Sequence, residues 1–371
     1  MSAGPAADIP AAPAPVPYED GGLAPLLDEA LVRVRAPDVV VAVSRRGHRT
    51  VVSGGTAAAP AVPREDLGFG LGSLSKTFTV LLLADLARAG AVGLDDPLAA
   101  HLPGLPPLSG DACRITLRHL ATHTSGLPRV PRDLFAGAVL HPYTNGYAGY
   151  SRDRLLSAYA HVRPRHAPGT RWHYSNFGLA LLGSALAHTA GTPFPDLLTR
   201  RVLRPLALTA TTAGAYAARS RQDRAIATGH HGDGRTPFPF TDMAAFTPAG
   251  GVLSTPDDML SYAEAHLRPA GGPLAGALRD VQVPQLRKGG FGRRRETHTL
   301  TWFQHPASGG PVLFHAGATF GLQCFLGFHP ATCTAVAVCA TRHDRTSSVV
   351  HAAYTLLQSL AGRPLPGPAH R

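Results

Sequence analysis

The heptapeptide Gly72-Ser73-Leu74-Ser75-Lys76-Thr77-Phe78 sets a hydroxyl and an amine three residues apart. On a helix such positions are neighbours, with Cβ atoms about 5–6 Å apart, so both side chains share one turn of one face. A serine hydroxyl is a weak nucleophile until a base takes its proton. Lysine can act as that base only when burial and nearby positive charge push its pKa toward neutrality. Arginine cannot act at all, because it keeps its proton. The chain has 35 Lys and Arg together, yet only Lys76 and Lys288 are lysines. A lysine therefore stands where arginine would abolish the chemistry. The plainer alternative is a helix N-terminus with a surface lysine. Against it, Phe69, Leu74, Phe78 and Leu81 around the pair are apolar and predict an enclosed site.

Two later stretches carry matching chemistry. Trp172-His173-Tyr174-Ser175-Asn176-Phe177-Gly178 holds a Tyr-x-Asn just before an apolar helical pattern, and Phe314-His315-Ala316-Gly317-Ala318 ends a strand-like run. Ser-x-x-Lys, then Tyr-x-Asn, then Lys- or His-x-Gly is the three-part active site of serine β-lactamases and penicillin-binding proteins. On these residues the chain resembles the class C β-lactamase and D-alanyl-D-alanine carboxypeptidase superfamily, with its related esterases and acyltransferases. The likeness extends to "ITLRHLATHTSGLP" (115–128), "PGTRWHYSNFGLALLG" (168–183) and "PAGGVLSTPDDM" (248–259), covering most of residues 20–362.

The resemblance implies roles residue by residue. Ser73 would be the acylated nucleophile, Lys76 its base or electrostatic partner, and Tyr174 a phenolate or relay acting with Lys76; which of the two is the base stays open. Asn176 would hold Lys76 and donate to the substrate's acyl side chain. His315 would line the site where other members have lysine, attracting a substrate carboxylate less firmly because it can be neutral near pH 7. Backbone N–H groups of Ser73 and Ala318, beside Gly317, would form the oxyanion hole.

These groups need a frame. Apolar residues at helical spacing over 23–34 end at Pro37, and 38–43 and 50–53 read as two strands joined near Gly47. Helical patterns follow at 74–90, 116–122, 151–162, 177–190, 195–204 and 256–267. Strand patterns come at 299–304, 312–315, 321–328 and 332–340, and a last helix at 347–360. The expected fold is α/β (α+β), β-lactamase/transpeptidase-like. Strands from both ends join in one antiparallel sheet, flanked by the terminal helices and capped by a helical subdomain over roughly 74–296. Residues 18–362 are expected to form a single catalytic domain between an Ala/Pro-rich tail (1–17) and a second tail (363–371).

Composition bounds the partners. The net charge of +11 raises nucleic acid, but the arginines are scattered. Their one tight cluster, Arg293-Arg294-Arg295, reads as a glycine-flanked loop, and no aromatic-interleaved basic motif occurs. Heavy Ala, Gly, Pro and Arg usage with few lysines fits a coding bias, so the charge is read as background. The N-terminus has no basic and apolar leader pattern, and no apolar run could span a membrane, which points to a cytoplasmic protein. The four cysteines form no C-x-x-C; Cys324, Cys333 and Cys339 sit in strand-like runs as small hydrophobes. His119 and His123 have zinc-capable spacing on a helix, but the general-base Glu of H-E-x-x-H is absent. His230-His231 reads as a solvated turn. No metal or cofactor is expected; the partner is a small-molecule or peptide acyl substrate, with oligomeric state left open.

Fold and chemistry do not name the substrate. Hydrolysis of a β-lactam, a D-Ala peptide or a small ester is expected. The alternative is a cytosolic biosynthetic acyltransferase or penicillin-binding-protein-type thioesterase that cyclises peptides; the non-enzyme alternative is an acyl-peptide-binding relative without turnover. Loops 228–236 and 288–296 are expected to rim the pocket.

Overall fold

The computed structural model describes residues 22–362, apart from 107, 109, 135–144, 215–224, 240–241, 270, 289–295 and 345. The Arg293–Arg295 cluster, most of the 288–296 loop and both tails lie outside the described residues.

The chain begins with α1 (Ala24–Val32) and the hairpin β1 (Val39–Arg45) and β2 (His48–Gly54). A short β3 (Phe69–Gly70) and a 3₁₀ turn (Gly72–Leu74) lead into α2 (Ser75–Arg88). Next come α3 (Leu117–Ala121), α4 (Arg152–Ala160), α5 (Asn176–Thr189) and α6 (Phe194–Leu198), the last continued by a π-helical turn over Thr199–Leu203. Strand β4 (Thr212–Ala213), helix α7 (Thr247–Gly250), strand β5 (Val252–Ser254), and helices α8 (Pro256–Leu267) and α9 (Ala275–Asp280) complete the middle. Strands β6 (Leu286–Lys288), β7 (Glu296–His298), β8 (Phe303–Ala307), β9 (Gly310–Ala318), β10 (Gln323–His329) and β11 (Thr334–Ala340) precede α10 (Ser348–Gly362).

The expected joining of the two chain ends is present. β1 pairs antiparallel with β11, inside an eight-stranded sheet ordered β2-β1-β11-β10-β9-β8-β7-β6. Residues along β1 and β11 alternate between two cores, as the two-residue period of a strand requires. Val39, Val41, Val43, Val336, Val338 and Ala340 face α1 and α10, while Val40, Ala42, Ala335, Ala337 and Cys339 face the helical block. Both faces are covered, so these strands read as unbroken apolar runs. Helix α2 is enclosed by the same block: every residue from Ser75 to Leu86 is buried. A helix sunk in the core has no polar face to display.

Some boundaries differ from expectation. The strand expected over 299–304 starts only at Phe303, because Thr299 to Trp302 close a tight turn: the Thr299 amide bonds the Trp302 carbonyl, and Thr299 Oγ1 accepts from the Trp302 amide. β11 starts at Thr334, since Cys333 occupies the left-handed turn that joins it to β10 (φ 47°). The three-stranded sheet β3-β5-β4 inside the helical region is an addition that the sequence reading did not contain. Among the described residues, no helix is long and apolar enough to cross a membrane.

Candidate active site

Ser73 sits in the 3₁₀ turn that opens α2, and Lys76 one turn on, as their spacing demands. Lys76 Nζ lies 3.2 Å from Ser73 Oγ, and the Tyr174 hydroxyl donates to the same oxygen at 2.5 Å. Lys76 also donates to the Ala249 carbonyl at 2.5 Å. The amine is 1% exposed and among the described residues has no carboxylate partner. Burial, and then the nearby Arg129 guanidinium, hold its pKa well below the ordinary lysine value. Burial pushes the Tyr174 phenol up to about 12, against the lowering effect of its bond to Ser73. The surroundings thus drive the amine toward its neutral form and keep the phenol protonated.

Tyr174 is positioned by the segment before it in the chain. The His173 amide bonds the His123 carbonyl (2.7 Å), the Ser175 amide bonds His123 Nδ1 (3.2 Å), and the Asn176 amide bonds the Arg129 carbonyl (2.9 Å). Ser175 caps α5 by accepting from the Gly178 amide, which ends the extended stretch just where Asn176 begins the helix. The stretch 123–129 is therefore a cradle for 173–176. His123 serves that cradle. It lies beyond the end of α3 with φ 58°, so His119 and His123 do not share a helix as their spacing suggested. His119 Nδ1 instead accepts from the Thr116 amide as half of a capping box.

The strand that borders the site, β9, comes unusually close to Ser73. A Cβ on Gly317 would lie 1.9 Å from the Leu71 carbonyl and 2.9 Å from the Ser73 amide nitrogen; one on Gly72 would lie 2.4 Å from the Ala318 carbonyl. Only glycine lets these two backbones touch, and Gly72 also has a φ of +53°. The contact brings the Ala318 backbone beside the Ser73 turn, and both residues line one cavity of about 640 Å³. Tyr147, Asn176, Met243, Phe238 and Phe320 form more of its wall. His231 and Gly232, from the 228–236 loop, also reach it. His231 stacks on Phe238 at 3.5 Å and is tied into the rim, while His230 bonds the Thr341 carbonyl through Nδ1, so neither is merely solvated.

Two expected partners sit differently. Asn176 Nδ2 donates to the Tyr147 hydroxyl at 3.3 Å instead of holding Lys76; the Ala249 carbonyl does that. Asn176 Oδ1 is buried without a hydrogen-bond partner beside the cavity. His315 is 3% exposed, does not line the cavity, and bonds the Ala316 carbonyl through Nδ1. Burial, with Lys76 adding to it, lowers its pKa to about 3, so the ring is neutral and gives a carboxylate no charge to approach. Ala249, Tyr147, Arg129 and His123 were missed as parts of the site. The Pro-Ala-Gly-Gly and His-Thr-Ser-Gly-Leu-Pro-Arg stretches were the available signal, but which of their groups turns inward depends on tertiary packing.

Comparison with known proteins places the chain in a family. The β-lactamase family model matches residues 23–361. A β-lactamase of Pseudomonas fluorescens is 26% identical over 325 residues, covering 80% of this chain and 85% of that protein. D-alanyl-D-alanine-carboxypeptidase/endopeptidase AmpH of Escherichia coli K12 is 32% identical over 208 residues, 55% of this chain, so the chain spans about half (50%) of that relative's length. A class C β-lactamase from Rhodobacter sphaeroides superposes with a TM-score of 0.74 at 25% identity, over 91% of this chain and 99% of that one. A β-lactamase/D-alanine carboxypeptidase from Pseudomonas syringae, at 22% identity and TM-score 0.76 over 92% and 99%, shares the fold. The chain belongs to the β-lactamase family and has its β-lactamase/transpeptidase-like fold.

Proposed function

We propose that the protein is a serine hydrolase that cleaves an amide or ester acyl bond through an acyl-Ser73 intermediate. The observation that carries this reading is the shared contact of Ser73 Oγ with a buried, carboxylate-free Lys76 amine at 3.2 Å and the Tyr174 hydroxyl at 2.5 Å. In this reading neutral Lys76 takes the Ser73 proton as Oγ attacks the acyl carbon. The amide N–H groups of Ser73 and Ala318 receive the oxyanion. As the tetrahedral species collapses, Tyr174 gives its proton to the leaving group and recovers one from Lys76. Water, activated by the same pair, then releases the acyl group. Lys76 is the base and Tyr174 the relay, because burial favours the neutral form of each. Asn176, with an unpartnered Oδ1 at the cavity, orients the acyl side chain, and residues 18–362 act as one catalytic unit.

Substrates are β-lactams, D-Ala peptides or small esters. His315, buried and neutral outside the cavity lining, supplies no charge for a carboxylate beside the scissile bond, which argues for esters. Acyl transfer to an amine is the second reading, and the open apolar wall of Phe238 and Phe320 leaves room for an acceptor.

Incubation with a fluorophosphonate followed by mass spectrometry tests the intermediate: one adduct on Ser73 is expected, and active protein with Ser73 unlabelled refutes it. Rates with nitrocefin, a p-nitrophenyl ester and a D-Ala-D-Ala peptide, with and without amine acceptors, rank the substrate classes. Lys76→Arg should lower kcat by at least a thousandfold, roughly the upper range for losing general-base catalysis. A variant that keeps its rate would exclude Lys76 as the base.

A further inference from the structure

Several arginines on the described surface are held by acids. Arg49 binds Asp257 and Glu264, Arg88 binds Asp280, Arg118 binds Asp95, and Arg201 binds Asp85. A cleft of about 850 Å³ instead gathers several that are not. Its walls carry Arg129, Arg132, Arg163 and Arg165, none of which has a carboxylate partner among the described residues. The acid in the wall, Asp133, is already taken, by Arg154 at 3.0 Å and by the Tyr150 hydroxyl at 2.9 Å. Four like charges gathered in one concavity repel one another and focus a positive potential there. The guanidinium fork fits carboxylate and phosphate oxygens in pairs.

The cleft adjoins the Ser73 cavity. Phe177 lies in its wall, while the preceding residue, Asn176, lines the cavity. Arg129 joins the two, with its guanidinium 5.5 Å from the centroid of the Tyr174 ring, whose hydroxyl touches Ser73 Oγ. We propose that this arginine cleft binds an anionic group, carboxylate or phosphate, at the far end of the substrate's acyl portion. The proposal rests on the acyl-Ser73 reading for its role in selecting substrates, but the binding itself does not need acylation.

Titration calorimetry of the intact protein with glutarate, and separately with inorganic phosphate, tests it. Saturable binding of at least one anion is expected, weakened by added salt. In R132A/R163A/R165A the affinity should fall by about tenfold or more, equivalent to about 1.4 kcal/mol, while R132K/R163K/R165K, which keeps the charge but not the fork, should lose less. A stronger glutarate response identifies a dicarboxylate-type substrate, and a stronger phosphate response a phosphorylated one. No binding of either anion, or equal binding by the alanine variant, overturns the proposal. In parallel, the kcat/KM ratio of mono-p-nitrophenyl glutarate to p-nitrophenyl pentanoate should exceed one and fall about tenfold in the alanine variant. Anion binding with no ester turnover would count against the Ser73 reading alone. Ester turnover with no anion binding would count against the cleft alone.

Discussion

Lys76 is costly to bury and, among the described residues, has no anion to balance it. Its pKa is lowered mainly by loss of water and secondarily by Arg129, whose guanidinium lies 5.5 Å from the Tyr174 ring centroid. This gives Arg129 an electrostatic part in the reaction as well as its place in the anion cleft. Replacing it with glutamine removes one of the two influences that favour the neutral amine, so the Lys76 pKa should rise. The acid limb of the kcat/KM profile for a neutral ester should then move to higher pH, with the lost rate recovered in alkaline buffer. An unmoved limb would show that Lys76 does not control it. At the phenol, Tyr174→Phe should cut kcat by about a hundredfold or more if the hydroxyl relays the leaving-group proton. A loss under about threefold would assign the relay elsewhere.

At the level of elements, the site depends on two backbones meeting. The Gly317 position in β9 leaves no room for a methyl group against Leu71 and Ser73. Gly317→Ala should push β9 away from the turn that carries Ser73, lowering stability by about 1–3 kcal/mol, as overpacking does. It should also reduce kcat more than KM if the Ala318 amide serves the proposed oxyanion position, because it would be displaced from it. Thermal unfolding and steady-state kinetics on a p-nitrophenyl ester measure both effects, and wild-type kcat would mean the close approach is not catalytic. The same strand shows why some elements were readable and others not. β1, β10 and β11 are buried on both faces and announce themselves as apolar runs. β6 and β7, at the sheet edge, have three residues each and carry no such pattern. Thr299 diverted its segment into a turn through its own hydroxyl, a local bond that a strand propensity does not reveal.

Across the whole molecule, several buried histidines are held neutral. Burial lowers His266 to about 4 and His315 to about 3, and pushes His123 down as well. Above about pH 6.5 neither folded nor unfolded forms of these rings carry the proton. Below it the unfolded chain binds protons that the folded chain refuses, so stability falls as the pH drops through the window from 6.5 toward the folded values. Each such group contributes about 1.4 kcal/mol per pH unit within its window. Two or three acting together can remove a large share of a typical stability of about 5–15 kcal/mol before the carboxylates titrate. The thermal midpoint should decline steeply from pH 6.5 to 4.5, and calorimetry in buffers of different ionisation heat should show proton uptake on unfolding. A flat midpoint over that range would remove these rings as the acid-sensitive groups.

The order of motifs, the helical spacing of Ser73 and Lys76, and the apolar runs of the central strands are local properties, so the linear chain determined them together with the overall layer plan. Whether the amine is neutral, what holds it, and which walls meet are not local. Ala249 reaches Lys76 from 173 positions away, Tyr174 reaches Ser73 from 101 away, and His315 turned inward and away from the cavity it was expected to line. The gathering of the four cleft arginines, without carboxylate partners among the described residues, is likewise invisible in a scattered composition. Desolvation and charge depend on which distant groups come within a few ångströms, and packing in three dimensions alone decides that.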